Sequence, residues 1–374
     1  MSMLAWKNLF HDRVRLAVTL VGIVFSLVLI VVQFGLFLGF LDTSSNIVAY
    51  SGADLWTAAP GIPHVNGGTP LNESLRWKAL QVPGVRKVTK FALTFVNWKL
   101  PAGSTESVQI AGYELGSGMG GPWNVVRGTE SDLAAEDSVF IDELYAAKLG
   151  IRALGDSAEV TGRRARVSGF THGIRSFTTA PYIFTSFKNA QNYARLAEDQ
   201  TVYFLIRLDP GVNPEVVRSQ LRQRLLNADI YTNEEMRRKT MFYWVFQTGA
   251  GVTTLMGAIL SLIVGAVVVA QTIYSATIDH IREFGTLKAM GAANWVIYQV
   301  ILLQAAISAV MGYSVAIVVG EFVSHSSQTG NAPINLPPWM AAATFCLALT
   351  MCMGASVLSI RKATQIDPAM VFRG

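Results

Sequence analysis

From Thr240 to Ile278 the chain runs 39 residues without an Asp, Glu, Lys or Arg, and from Ala289 to Gly320 it runs another 32. A helix needs roughly 20 apolar residues to cross the hydrocarbon of a bilayer. Leu16 to Leu41 adds 26 uncharged residues, and a fourth uncharged run extends from Pro337 to Ile360. Any one of these could be a buried helix of a large soluble protein, but four together imply lipid as their solvent. The aromatic start of the longest run, "MFYWVFQTG", suits a membrane interface. That places its crossing at about Gly249–Tyr274, with the third span inside Trp295–Gly320. The first run is too long for the 7–15-residue core of a signal peptide, and no A-x-A site follows it, so it reads as a retained anchor.

The rest of the chain has a different composition. Charged residues make up 15% of the whole, against about 25% for a soluble protein. Residues 42–239 alone hold 22 Lys+Arg and 20 Asp+Glu, and everything else holds 8 and 5. One block therefore folds in water. Lys and Arg in short loops mark the cytoplasmic side. They occur at Lys7, Arg13 and Arg15, at Arg282 and Lys288, and at Arg361, Lys362 and Arg373, whereas 321–336 has none. The fold class expected is a membrane protein with four transmembrane α-helices, one plus three, and a large α+β domain inserted after the first. In order, 1–15 is a cytoplasmic amphipathic helix, 16–41 the first span, and 42–239 the outer domain. Residues 240–278 form a stalk and the second span, 279–292 a cytoplasmic segment, and 293–320 the third span. An outer loop at 321–336, the fourth span at 337–360 and a cytoplasmic tail at 361–374 complete the chain.

Within the outer block, "SLRWKALQVPGV" (74–85) has helical spacing and ends on Pro-Gly. Residues 85–100 and 104–113 read as strands about a turn at Pro101–Gly103. The segment 139–151 reads as a strand, Asp142 as a cap, a helix, and Gly150 as its stop. A hairpin turning at Gly162, a strand at 201–208 and a proline-led helix at Pro214–Leu226 follow. Helix and strand alternate twice, which predicts two small α/β lobes.

Several motifs are decoys. Gly116, Gly118 and Gly121 spell G-x-G-x-x-G, but "PWN" follows where a dinucleotide fold needs a helix. A flexible loop is the simpler reading. His64 and His172 lack ligand-spaced partners, so no metal site is expected. Ser168 and His172 lack a G-x-S-x-G context. Cys346 and Cys352 lie six apart on different faces of one span, which is unsuited to a disulfide or a metal pair. No G-x-x-x-x-G-K-[ST] loop occurs, and the short cytoplasmic pieces cannot house a kinase, cyclase or nuclease. No nucleic-acid partner is implied. Cytoplasmic energy must arrive through a partner.

Two patterns remain. Gly249, Thr253, Gly257, Ser261 and Gly265 fall every four residues in the second span, a ladder that permits close helix packing, with this chain or with a second copy. The polar island "DHIREFGTLKAMGA" (279–292) interrupts the apolar half. Read as a helix, Asp279, Arg282 and Glu283 point away from the side shared by Ile278, Ile281, Phe284 or Gly285, and Lys288. A short helix continued into two spans can pass a push into the membrane; a plain solvated connector is the alternative.

"QTIYSATIDHIREFGTLKAMG" at this topological position resembles the signature of FtsX/MacB-type ABC transporter permeases, and is most similar to a DevC-like subgroup. "AWKNLFHDRVR", "VFIDELYAAKLGI" and "IDPAMVFRG" also fit, so the resemblance covers nearly the whole chain. It implies a homodimer in the bacterial inner membrane, with both termini cytoplasmic and 42–239 periplasmic, working with two copies of a separate ATPase. The island becomes a coupling helix, with Asp279, Arg282, Glu283, Phe284, Gly285 and Lys288 as docking residues. This chain would bind no cofactor, ATP and Mg being used by the partner. The subgroup implies a periplasmic adaptor and an outer-membrane channel, with export of a lipid or other amphiphile and contact with membrane lipids. A lipoprotein-release or antimicrobial-peptide-defence permease is the alternative within the superfamily, and a ligand-binding membrane sensor the alternative outside it.

Overall fold

The computed structural model describes residues 13–328, 330 and 332–364. The amphipathic helix expected at 1–15 and the tail at 361–374 lie largely outside them. Two compact units result, one built from the chain up to Gly39 with Val252–Gln328 and the chain from Ala332, the other from Phe40–Gly251 with 329–331.

In the first unit, the described residues contain four helices long and apolar enough to cross a membrane. Helix α1 (Arg13–Ala49) runs eight residues past the expected end of the first span. The polar stretch that follows Leu41 continues the helix because its hydroxyls fold back on helix carbonyls. Ser44 Oγ donates to Leu41 O at 2.8 Å and Thr43 Oγ1 to Phe40 O at 3.3 Å, a local bond that satisfies the side chain without breaking the helix.

The transmembrane core is small-residued. Ile23, Leu27, Val269 and Ile273 close on Ala305, Ala309, Ala316, Ala348 and Cys352, as expected where dispersion contact between close backbones replaces the hydrophobic drive. The glycine ladder divides. A methyl group at Gly265 would lie 2.7 Å from Ile30 Cδ1, and one at Gly257 would lie 3.1 Å from Gln33 Oε1, while Ser261 is buried. These lower rungs pack against α1 of the same chain. Gly249 has open space around it, and Thr253 is exposed.

The outer unit is built on one long strand. Strands β1 (Leu55–Ala58), β2 (Leu71–Asn72), β3 (Val85–Lys99), β4 (Thr105–Tyr113), β5 (Val125–Arg127) and β6 (Ser138–Asp142) come first. Then follow β7 (Ser157–Val160), β8 (Arg163–Thr171), β9 (Tyr182–Ser186), β10 (Gln200–Thr201), β11 (Tyr203–Leu208) and β12 (Asp229–Thr232). The 15-residue β3 belongs to two layers. Its first half pairs with β11, which carries β1 and β12 onward, Phe91 opposing Tyr203. Helices α2 (Ser74–Leu80) and α4 (Pro214–Arg224) accompany this part. The second half pairs with β4, then β9, β6, β8 and β7, and β7 returns to β3 through Trp98↔Val160. That circuit is a closed six-stranded barrel, with the short exposed β5 added on β8 outside it. Helix α3 (Phe187–Tyr193) packs on it, so close to β4 that a methyl group at Gly112 would collide with Ala190 Cβ.

The two α/β lobes expected from alternation are therefore one α/β lobe and one β-barrel sharing β3. The missing helix is the one expected at 143–149. Asp142 does cap a turn there, accepting from Leu144 N at 3.1 Å, but the turn is a single 3₁₀ stretch, Glu143–Tyr145. Asp142 also accepts from Thr171 Oγ1 and Ile174 N, which pins the segment to the barrel before a helix can grow. The G-x-G-x-x-G stretch is a loop, with positive φ at Gly116, Gly118 and Gly120. At Gly120 a side chain would meet the Phe91 ring at 2.8 Å.

Candidate functional site

Two places in the structure join segments that are separate in sequence or break a long helix. The first is the elbow between the second and third spans of the transmembrane unit. Helix α6 (Gly249–Asp279) stops at His280, whose backbone (φ −94, ψ 11) leaves helical geometry, and α7 (Ile281–Ala289) begins. The island is thus a separate helix rather than an extension of the span. His280 Nδ1 lies 2.9 Å from Glu283 Oε1, and the His280 carbonyl accepts from Phe284 N. At the other end, Gly291 has φ +90 and Ala292 N donates to Leu287 O at 3.0 Å, the bond pattern of a glycine-terminated helix. Glu283 in the first turn and Lys288 in the last complement the helix dipole. Helix α8 (Asn294–Ser327) follows at once, running past the expected end at 320, and α9 (Pro338–Thr364) completes the unit.

Phe284 holds this elbow together. It is 1% exposed and packs with Ile297, Val300 and Ile301 of α8, flanked by Leu287 and Tyr298. Gly285 is buried as well. These two of the six docking residues named from sequence are inward-facing, because the elbow folds back onto α8 and needs an apolar anchor there. Asp279 and Glu283 are exposed and Lys288 is half-buried. Glu283 therefore occupies a helix face that Phe284 leaves outward, whereas Lys288, one turn after Phe284, flanks the buried side at its edge, and Arg282 lies between Ile281 and Glu283 in the same first turn.

The second place is in the outer unit, where the loop after β8, "THGIRSFTTA" (171–180), gathers three chain segments. Phe177 sits between Phe40 of α1, at 5.4 Å between ring centroids, and Trp244, at 4.2 Å. Trp244 belongs to a π-helical turn, Tyr243–Gln247, at the end of α5 (Asn233–Phe242). Asn46 of α1 donates to Arg175 O at 2.6 Å, and Arg175 Nε donates to Gly330 O at 3.1 Å. Behind the loop, Gln109 donates to Ser176 Oγ and Thr178 Oγ1, at 2.8 and 3.0 Å. Asn66 Nδ2 donates to Gln109 Oε1.

The helical segments at this joint are also tied directly. Asn233 Nδ2 donates to Val48 O, Ser51 Oγ and Ala53 O, all within 3.0 Å. Thr232 and Glu235 form a reciprocal cap that fixes where α5 starts. His64 packs on Tyr243 at 4.1 Å and on Trp244 at 4.9 Å, and its Nδ1 accepts from Asn66 N. Burial lowers the His64 pKa, opposed by its hydrogen bond to Asn66. The neutral imidazole is thereby favoured, as the accepting nitrogen requires. Trp244 falls in the aromatic stretch read from sequence as interfacial, but Phe177, Arg175, Asn46 and Asn233 carry no sequence signal. These residues come from three separate segments, and the loop they meet on has no periodicity.

The chain spans the membrane several times, carries its water-soluble domain after the first span, and places a short helix between the second and third. That is the arrangement of a multi-pass membrane protein with a soluble domain inserted after its first span. The family model for the MacB-like periplasmic core domain matches residues 16–224, more than half the chain, and the model for the FtsX-like permease C-terminal matches 255–368. The chain belongs to the MacB/FtsX-type ABC transporter permeases. An uncharacterized ABC transporter permease of Mycobacterium tuberculosis is 23% identical over 99% of both chains. Another, from Mycobacterium bovis, is 24% identical over 97% of this chain and 96% of that one. The macrolide export ATP-binding/permease protein MacB of Marinobacter nauticus is 28% identical over 33% of this chain and 20% of its own. Among solved structures, the periplasmic region of MacB from Actinobacillus actinomycetemcomitans aligns with TM-score 0.40 and 14% identity. It covers 51% of this chain and 94% of that one. A permease of this kind works with an ATPase.

Proposed function

We infer that this chain converts ATP hydrolysis by a separate ATPase, two copies per dimer, into movement of its periplasmic domain, and so drives export of a lipid or other amphiphile. The observation that carries this reading is the burial of Phe284 against α8. A helix anchored by one large side chain to the start of the next span moves with that span, so force applied at Glu283 and Lys288 is not dissipated by the connector. The gathering of α1, α5 and Gly330 on the 171–180 loop supports the same reading at the other end.

The reading places the protein in the bacterial inner membrane with both termini in the cytoplasm and residues 42–239 in the periplasm. It assigns hydrolysis to the partner, with ATP and Mg bound there, and none to this chain. A second copy of the chain, a periplasmic adaptor and an outer-membrane channel complete the DevC-like form of the machine. The test is the double variant Glu283→Ala/Lys288→Ala, reconstituted with its ATPase. The permease should still fold and the ATPase still hydrolyse ATP, while transport falls at least tenfold. Wild-type transport by that variant refutes the coupling role.

A further inference from the structure

Near the cytoplasmic end of the transmembrane unit, α1, α6 and α8 enclose a cavity of about 320 Å³, within the range of roughly 300–1,000 Å³ that holds small ligands. Its lining is mixed. Leu16 and Ile301 give it apolar walls, while Thr19, Gln271, Gln304 and Ser308 bring polar groups into a region flanked by hydrocarbon. Asp279 and His280 also line it, at the end of α6.

The group that needs explaining is Gln304. Its amide nitrogen is buried and has no hydrogen-bond partner among the described residues. It lies about three turns into α8, a depth where a bilayer offers acyl chains and glycerol esters rather than bulk water. An unpaired amide donor at such a depth is costly. Polar side chains kept inside a membrane face cavities or partners. The cavity therefore calls for an oxygen acceptor beside Gln304 and apolar chain along Leu16 and Ile301. The carboxylate of Asp279 at one end favours a cation and disfavours a second anion.

We propose that this cavity binds one inner-leaflet zwitterionic phospholipid. A glycerol ester oxygen accepts from the Gln304 amide, one acyl chain fills the apolar part, and the ammonium of the headgroup lies near Asp279. The proposal rests on the membrane orientation of the reading above but not on its export activity, so it is tested without nucleotide or ATPase.

The full-length protein is reconstituted in nanodiscs of phosphatidylethanolamine and phosphatidylglycerol, with a trace of phosphatidylethanolamine carrying a diazirine in one acyl chain. After photolysis, labelled residues are mapped by mass spectrometry. Label is expected at Ile301–Ser308 and Gln271–Ala276 at least threefold above that at Val315 and Val318, which are exposed on the same helix. Gln304→Leu keeps the apolar volume and removes the donor. It should lower both this label and the phosphatidylethanolamine retained through delipidation by at least threefold, with its thermal melt unchanged. If Gln304→Leu fails to fold, Gln304→Glu, which removes the amide donor and adds a second acid, serves with the same readouts. The diazirine on phosphatidylglycerol should label the cavity less than on phosphatidylethanolamine. Label spread evenly over exposed residues, retention unchanged by either variant, or crosslinks joining two copies through Gln304 would each overturn the proposal. Those results would mean open bilayer contact, a water-filled cavity and a protein-filled one respectively.

Discussion

Replacing Phe284 with Ala tests the elbow most sharply. The side chain is 1% exposed and touches three residues that are themselves at most 2% exposed, so little can collapse into the space it leaves. Buried Phe→Ala changes cost about 3–5 kcal/mol, as a transfer loss plus a cavity loss. The elbow has few other apolar contacts, so the cost falls on its own docking rather than on the whole molecule. At about 1.4 kcal/mol per tenfold, even the lower figure raises the undocked fraction of α7 by over a hundredfold. Amide hydrogen exchange in nanodiscs reads this directly. Protection of Phe284 to Ala292, whose N–H groups bond within the elbow, should drop by two orders of magnitude or more. Protection of β3 and β4 in the outer domain should not change. Phe284→Leu keeps most of the volume, and such swaps usually cost under about 1.5 kcal/mol, so protection should largely return. Protection in Phe284→Ala within threefold of wild type would refute the anchoring argument.

Other consequences follow from named contacts. Asn233→Ala removes three hydrogen bonds and takes a donor from Ala53 O, while Val48 O keeps its bonds from the Ser51 hydroxyl and backbone N–H. At roughly 1–3 kcal/mol per buried unsatisfied group, the outer-domain melting transition of the full-length protein should fall by several degrees. His64 is held neutral by burial, so its folded pKa lies below its unfolded value. Its stabilisation is present above about pH 6.5 and is lost as pH falls through the depressed folded value. Denaturation midpoints in mild acid should fall in wild type and fall less in His64→Asn. Gly265→Val should separate α1 from α6, because Ile30 occupies that space, whereas Gly249→Val should fold normally. Disulfide trapping from Cys at Gly249 then shows whether that open rung meets a second copy.

Legibility tracked physical range. The four spans and the hydrophilic block were readable because lipid imposes a long, local rule on composition. Their ends were less so. Ser44 and Thr43 look like helix breakers in sequence, yet they bond their own helix carbonyls and carry α1 to Ala49. The strand pair 85–113 was visible in its alternation and turn. Closure of the barrel through Trp98↔Val160 joins residues about sixty apart and leaves no local trace. The elbow was found by its charges, but the role of Phe284 was not, since the residues that bury it begin thirteen positions later. The joint at the 171–180 loop was invisible, because an aromatic in an irregular loop looks the same whether it faces solvent or two helices.

The central claim is that cytoplasmic force reaches the periplasmic domain through an intact elbow and joint. Leu226 is 85% exposed on that domain. With Cys346 and Cys352 replaced, a spin label on Cys at Leu226 reports the distance between the two copies of the proposed dimer. The account predicts a shift in that distance when the ATPase is trapped with ATP in wild type. The shift should vanish in Phe284→Ala and in Phe177→Ala while ATP still binds the partner. A full shift in both variants would contradict it.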